Sequence, residues 1–440
     1  MKNELLKLDE LSRRRFVERL ARTCLGVSLL PSASTLAPLF GKETESTASN
    51  IELPANHVIY LYMRGGMSHM DTFDTKPDAP ADYRGPVRTI KTKADGLQFS
   101  HFLPKLGDHA NKMAVIRSMT HTQGAHEEGA YKVMTGFETS ASLRYPALGS
   151  WVARQVVEGH STLPPYIRLG GLAGHPGSGF LDARYAPVPV LDPNKGLEHT
   201  KLQKGDSMTA LNRRTNLAER LNQAFMNRYP TEEVKAHVEV YADALKLMTS
   251  KDLDAFNLSL EKDQVLEAYG NDDFGRGVLL ARRLIERGTK FVEVELGGWD
   301  THSDNFTSVE GLALRLDNTV SALLTDLEES GLLKRTLVVL TTEFGRTPKI
   351  NDGGRDHHPI AFSSFIAGGK VRGGQAWGKT DATATRIDEN PVSVLDFHST
   401  IGALLGIAQD DLVPVGSAGN FNIHGGSGAR RGRPITALIG

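Results

Sequence analysis

The chain has 440 residues, 40% of them hydrophobic and 23% charged, ample material for a large buried core. Lys and Arg number 51 against 52 Asp and Glu, a formal net charge of −1. That balance excludes a protein that works by broad electrostatic attraction to nucleic acid, so any anion it binds must be met by a local site.

The amino terminus, "LSRRRFVERLARTCLGVSLLPSASTLA", sets Arg13, Arg14 and Arg15 ahead of a modest apolar stretch and then small residues. That order is the layout of a secretory signal, and Ser-Arg-Arg-x-Phe resembles a twin-arginine export signal. Residues 1–36 are therefore expected to direct export to the periplasm. A plain amphipathic helix with a basic face is the competing reading. The apolar part is too short to span a membrane. Cys24, the single cysteine, falls inside this segment, so a mature chain forms no disulfide. Residues 37–54 are polar and punctuated by Pro and Gly, and read as a linker. One domain is expected over 55–425, with a tail at 426–440.

Within that domain "HVIYLYM" (57–63) is a short β-rich apolar run that ends in "RGGMSHMDTFDTKP". "KMAVIRSM" (112–119) repeats the pattern before "THTQGAHEEGAYKVMTG". "FVEVEL" (291–296) does so before "GGWDTHSDNF", and "TLVVLTT" (336–342) before "EFGRTPKINDGGRDHHP". "IAFSSFIAGG" (360–369) reads as a fifth strand. Residues 275–288 and 309–331 carry apolar residues at helical spacings. Residues 205–270 are helical in pattern and predict an added helical insertion. Residues 162–195, rich in Gly and Pro, suggest an ordered loop or a few short strands. Strands alternating with helices imply an α/β fold of three layers, a mostly parallel sheet with helices on both faces. Ligands in such folds sit at the carboxyl ends of the strands, where four polar loops fall here.

Each loop carries candidate chemistry. The first offers His69, Asp71 and Asp74, with His69 and Asp71 on one side if the segment is extended. The second offers Thr120, His121, Thr122, His126 and Glu127; it is not the H-E-x-x-H zinc helix, because position 130 is Ala. His126 falls where a helix is expected to begin, an end that favours an anion. The third gives Asp300 and His302, with Trp299 as a wall. The fourth gives Glu343, Arg346, Asp356, His357 and His358. Carboxylates with imidazoles suit zinc, manganese or iron better than calcium. Arg346 suits an oxyanion or a carboxylate through its planar fork, and a Glu343–Arg346 ion pair is the structural alternative. No Walker A, dinucleotide fingerprint or G-x-S-x-G elbow is present.

"GLLKRTLVVLTTEFGR" behind a helix containing "LDNTVSALLTDLEE", then "DHHPIAFSSFIAGGKVRGG" and "SVLDFHSTIGALLGI", resembles the core of the alkaline phosphatase/sulfatase superfamily. With the export signal, "GGMSHMDTFD", "GGWDTH" and "EFGRTP", it looks like an uncharacterised sulfatase-like bacterial family within it. The resemblance implies an alkaline phosphatase-like fold and one or two divalent ions, zinc or manganese. It implies hydrolysis of a phosphate or sulfate ester of an anionic small molecule or glycan. Asp71, Asp300, His302, Glu343 and His357 would be metal ligands, with Asp356, His358 and His69 in the first or second shell. Arg346 and His126 would handle the anion and its protons.

The chain departs from that pattern in two places. Glu343 and Phe344 stand where the superfamily has Asp-His, and counting back from Thr135-Gly136 puts His126 where it has a nucleophile. Three mechanisms stay open: His126 as covalent nucleophile or general acid, attack by a metal-activated water, or Thr120 or Thr122 as nucleophile. The water needs no hydroxyl nucleophile and is preferred. The rival class is a non-catalytic metal-containing protein that binds a glycan or protein partner.

Overall fold

The structure is a computed structural model that describes residues 54–156, 161–198, 200, 207–229, 232–426 and 431–440. The expected signal over 1–36, with Cys24, and almost all of the expected linker lie outside the described residues. Among those described, no helix is long and apolar enough to cross a membrane.

In chain order the main elements are β1 (His57–Met63), β2 (Met113–Thr120), α1 (His126–Thr135), α2 (Leu148–Gln155), β3 (Tyr166–Leu169), β4 (Val188–Val190), α3 (Met208–Arg228) and α4 (Glu232–Thr249). There follow α5 (Asp273–Glu286), β5 (Phe291–Leu296), α6 (Asn305–Glu329), β6 (Thr336–Thr341), β7 (Gly345–Arg346), β8 (His357–His358), β9 (Phe362–Ala367), β10 (Gln375–Trp377), β11 (Val392–Ser393) and α7 (Val394–Leu404). The chain divides into two units. Leu53–Gly196 with Ala255–Gly440 hold the sheet, and Leu197–Asp254 belong to the other, where α3 and α4 lie.

The nine-stranded sheet runs β10-β2-β9-β6-β1-β5-β3-β4, with β11 also on β2. β1 pairs parallel with both β5 and β6, and every residue of the three except Glu295 is buried, so this centre is covered on both faces. Val58, Tyr60 and Tyr62 share one core with Val133 and Met134 of α1, Trp151 and Val152 of α2, and Phe397 and Ile401 of α7. Ile59, Leu61 and Met63 alternate to the other face, where α5 packs on β1 and β5 and α6 on α5. The helices therefore cover both faces, as the alternating pattern predicts.

β9 departs from a parallel arrangement, running antiparallel to both β2 and β6. A parallel return needs a crossover to the far end of the sheet, usually through a helix. Residues 342–361 hold only the β7–β8 hairpin, so the chain turns and comes back at the same end.

Two histidines of this core give it a pH dependence. Burial pushes His398 and His57 down to about 4 from an ordinary 6.5, each with a ring nitrogen on a carbonyl, Val133 at 2.9 Å and Thr289 at 2.7 Å. Between those values the unfolded chain takes up protons that the folded chain refuses, so stability falls as pH drops from about 6.5 toward 4. Urea titrations at the two ends of that window should differ by roughly 3 kcal/mol per histidine. His398→Gln, which can still donate to Val133, should flatten the slope. An unchanged slope in that variant would remove His398 from the account.

Candidate metal centre

Three parallel strands deliver the centre, because β1, β5 and β6 end side by side and the loops that follow them carry Gly65, Asp300 and Glu343. Gly65 has φ +117°, and a Cβ there would collide with the Asp300 backbone nitrogen, so only glycine lets the β1 and β5 loops touch. Its N–H donates to Glu343 Oε1 at 2.8 Å. Thr342 Oγ donates to the Met63 carbonyl at 2.7 Å and accepts from Met67 N at 2.9 Å, which ties the β6 loop to the β1 loop.

His126 is the first residue of α1, and its Nδ1 donates to Glu343 Oε1 at 2.8 Å. The Glu343 hydrogen bond, against the opposing effect of burial, raises the His126 pKa. Its Nε2 makes no hydrogen bond, although Asp300 Oδ2 lies 3.2 Å away. His357 Nδ1 donates to the Gly124 carbonyl at 2.6 Å, which leaves Nε2 facing Asp300 Oδ1 at 3.4 Å. His302 Nδ1 is 2.9 Å from Asp356 Oδ1, and its Nε2 lies 3.0 Å from Asp300 Oδ1 and 3.1 Å from His357 Nε2. The buried Phe344 ring packs against His126 and His357, with centroids 5.0 and 4.5 Å away.

In each ring, then, the outer nitrogen is placed on an acceptor and the inner nitrogen points toward Asp300. The inner nitrogens of His302 and His357 lie 3.1 Å apart beside that carboxylate, a spacing that a shared proton or a bound cation satisfies. Two ligands of a tetrahedral ion at ~2.05 Å stand about 3.3 Å apart, and four of the separations here, at 3.0–3.4 Å, are of that size. Ligand atoms of His126, Asp300 and His357 all lie within 4.8 Å of one another. Glu343, Asp356 and the Gly124 carbonyl stand behind the three rings, the arrangement that fixes tautomer and orientation in metal sites. The residues present therefore fit a divalent ion with nitrogen and oxygen ligands. Burial opposes ionisation of Asp300, but the hydrogen bond from Arg346 outweighs it and holds the carboxyl at about 2.

Several expected ligands stand elsewhere. Asp71 is fully buried with both oxygens engaged, Oδ1 by Arg355 at 2.8 Å, Oδ2 by Arg355 at 2.8 Å and by Asn305 at 2.9 Å. The segment after β1 is a tight turn rather than extended chain, with Thr72 Oγ donating to the Ser68 carbonyl, so His69 and Asp71 do not share a side. His69 Nε2 bonds the Ala384 carbonyl and His358 Nε2 the Thr385 carbonyl, each at 2.9 Å, and burial lowers both pKa values, His358 to about 4. Asp356 touches the centre only through His302, whose hydrogen bond lowers its pKa. Glu343 likewise acts through His126.

Arg346 is fully buried and donates to Gly65 O, Gly66 O, Arg355 O and Asp300 Oδ1, so it positions Asp300 and has no reach to a substrate anion. Thr120 is the last residue of β2, aligned with Ser393 of β11. Asp396 of α7 caps its own helix through Ser393 and accepts from Arg433 N at 2.7 Å.

Sequence reasoning missed Arg355 and Asn305, which hold Asp71; His121, one of the candidates of the second loop, bonds the Glu343 carbonyl through Nε2. An arginine directly before Asp-His-His was the one signal for Arg355. Gly124, acting through its backbone, gave none.

Fold and site together define a three-layer α/β protein with a carboxylate–imidazole centre at the carboxyl ends of its central parallel strands. The chain belongs to the family described as "Protein of unknown function (DUF1501)", whose model matches residues 55–439. No curated protein matches the sequence. Among solved structures it is similar to the PsFucS1 sulfatase from Pseudoalteromonas sp., at 13% identity and TM-score 0.36, over 81% of this chain and 68% of that one. It is similar to the periplasmic domain of EcEptC from Escherichia coli in complex with Zn, at 12% and 0.38, over 82% and 85%. It is also similar to the alkaline phosphatase of the Antarctic bacterium TAB5, at 10% and 0.35, over 81% and 99%. At these TM-scores the likeness assigns no chemistry.

Proposed function

We propose that the protein is an exported, metal-dependent hydrolase of phosphate or sulfate esters on a small molecule or glycan. The observation that supports this is the convergence of three imidazole nitrogens on one carboxylate, each ring backed by an acceptor. His126, Asp300 and His357 would hold zinc or manganese, with His302 beside Asp300 and His357. A divalent ion there supplies Lewis acidity toward an anionic ester oxygen and makes a water more acidic.

The protein's own groups do the rest. Arg346 keeps Asp300 ionised and aimed inward. Glu343 fixes His126 with Nε2 inward, and the same pair can hold or pass a proton. Phe344 walls the rings from one side and keeps their rotamers fixed.

Glu343→Gln tests the support role. It keeps the size of the side chain but weakens the hold on His126, and such outer-shell changes cost ~10–100-fold in metal affinity or activity. Competition with a chelator should show that loss in a folded variant. Affinity within a factor of about two of the wild type would sink the role assigned to Glu343.

A binding role without turnover is the second reading. It is favoured by Arg346, which is fully buried and spends four of its five N–H groups on Gly65, Gly66, Arg355 and Asp300, so that little of it is left to grip an anion. Saturable binding of an anionic glycan by metal-loaded protein, with no hydrolysis of aryl phosphate or aryl sulfate, would select it.

A further inference from the structure

Resting on that metal-site reading, we infer that the centre takes one divalent cation rather than two, with the Arg355 guanidinium serving as the fixed positive charge beside Asp71. Among the described residues one group of imidazole and carboxylate atoms converges, and Asp71 is not in it. Three of the four lone-pair sites of Asp71 are taken by Arg355 Nε and Nη2 and the Asn305 amide at 2.8–2.9 Å, with the guanidinium charge held against it.

Arg355 is itself completely provided for. Nη2 also donates to the Tyr83 carbonyl at 2.8 Å, and Nη1 donates to the carbonyls of Thr347 and Pro348. All five of its N–H groups therefore have acceptors. Its planar face lies over the Phe306 ring, 5.5 Å from the centroid. A group held on every side does not give way to a metal ion.

Asp300 differs, although it too meets an arginine. Arg346 takes Oδ1, but Oδ2 looks toward the unbonded His126 Nε2, and the side chain is 46% exposed against 0% for Asp71.

Formal charge agrees with this count. Asp71, Asp300, Glu343 and Asp356 carry four negative charges, and Arg346 and Arg355 return two positive ones. The remaining −2 is what one divalent ion neutralises. Two ions would leave the cluster as positive as it began negative.

The test is metal content, by elemental mass spectrometry, of the full mature chain after loading with zinc or manganese and desalting. The wild type should hold about one equivalent, Asp300→Asn close to none, and Asp71→Asn about one equivalent despite a lower melting temperature. Should Asp71→Asn fail to fold, Asp71→Asn/Arg355→Gln replaces the ion pair with a neutral one and should keep the metal. Two equivalents in the wild type, or loss of metal from folded Asp71→Asn or the double variant, would overturn the single-ion inference and leave the hydrolase reading standing. A folded wild type that takes up no metal would overturn both.

Discussion

Asp300→Asn is expected to lower kcat/KM for an aryl phosphate or aryl sulfate by ~10³-fold or more, the order of losing a principal electrostatic group from an active site. The substitution keeps the shape and removes the charge. Asp300 is the one residue that the other groups of the centre share: His126, His302, His357 and Arg346 all reach its two oxygens. Its loss takes a ligand from the ion and leaves the buried Arg346 with only carbonyl partners. Circular dichroism should show a folded protein, and elemental analysis a loss of metal. A folded variant that keeps both metal and activity within about tenfold of the wild type would refute the assignment of the centre.

Arg355→Met should be the most destabilising single change near the site. It leaves Asp71 as an unpaired buried charge beside a lone Asn305 amide, and breaking a buried pair from one side costs roughly 3–5 kcal/mol. It also strips donors from the Tyr83, Thr347 and Pro348 carbonyls, which loosens the turn before His357. Chemical denaturation of the variant should show the loss, and adding Asp71→Asn to it should recover part. If the double variant were no more stable than Arg355→Met alone, the penalty would not lie in the stranded carboxylate.

Much of this protein can be read along the chain. Apolar runs ending in polar, glycine-rich loops locate β1, β2, β5, β6 and β9 to within a few residues, because a strand buried on both faces needs an unbroken apolar stretch. Helical spacing likewise finds α5 and α6, and the parallel centre places a ligand site at the strand ends. The residue types in those loops point to a metal centre before any contact is known.

Which donors meet is a different kind of information. His357 and His358 are neighbours in sequence, yet they sit in the two-residue strand β8, where successive side chains take opposite faces. His357 turns to Asp300, while His358 turns to the Thr385 carbonyl. Nothing in "DHHP" selects between them; the pairing of β8 with β7 does. Asp71 shows the same limit, for its partner Arg355 lies 284 residues further on. The sequence by itself determined the strands, the helices and the end of the sheet where chemistry gathers, because hydrophobic periodicity is local. Tertiary structure alone decided that Asp71 is closed off by Arg355 and Asn305 while Asp300 keeps His126 and His357 beside its oxygens, because those neighbours come from distant parts of the chain.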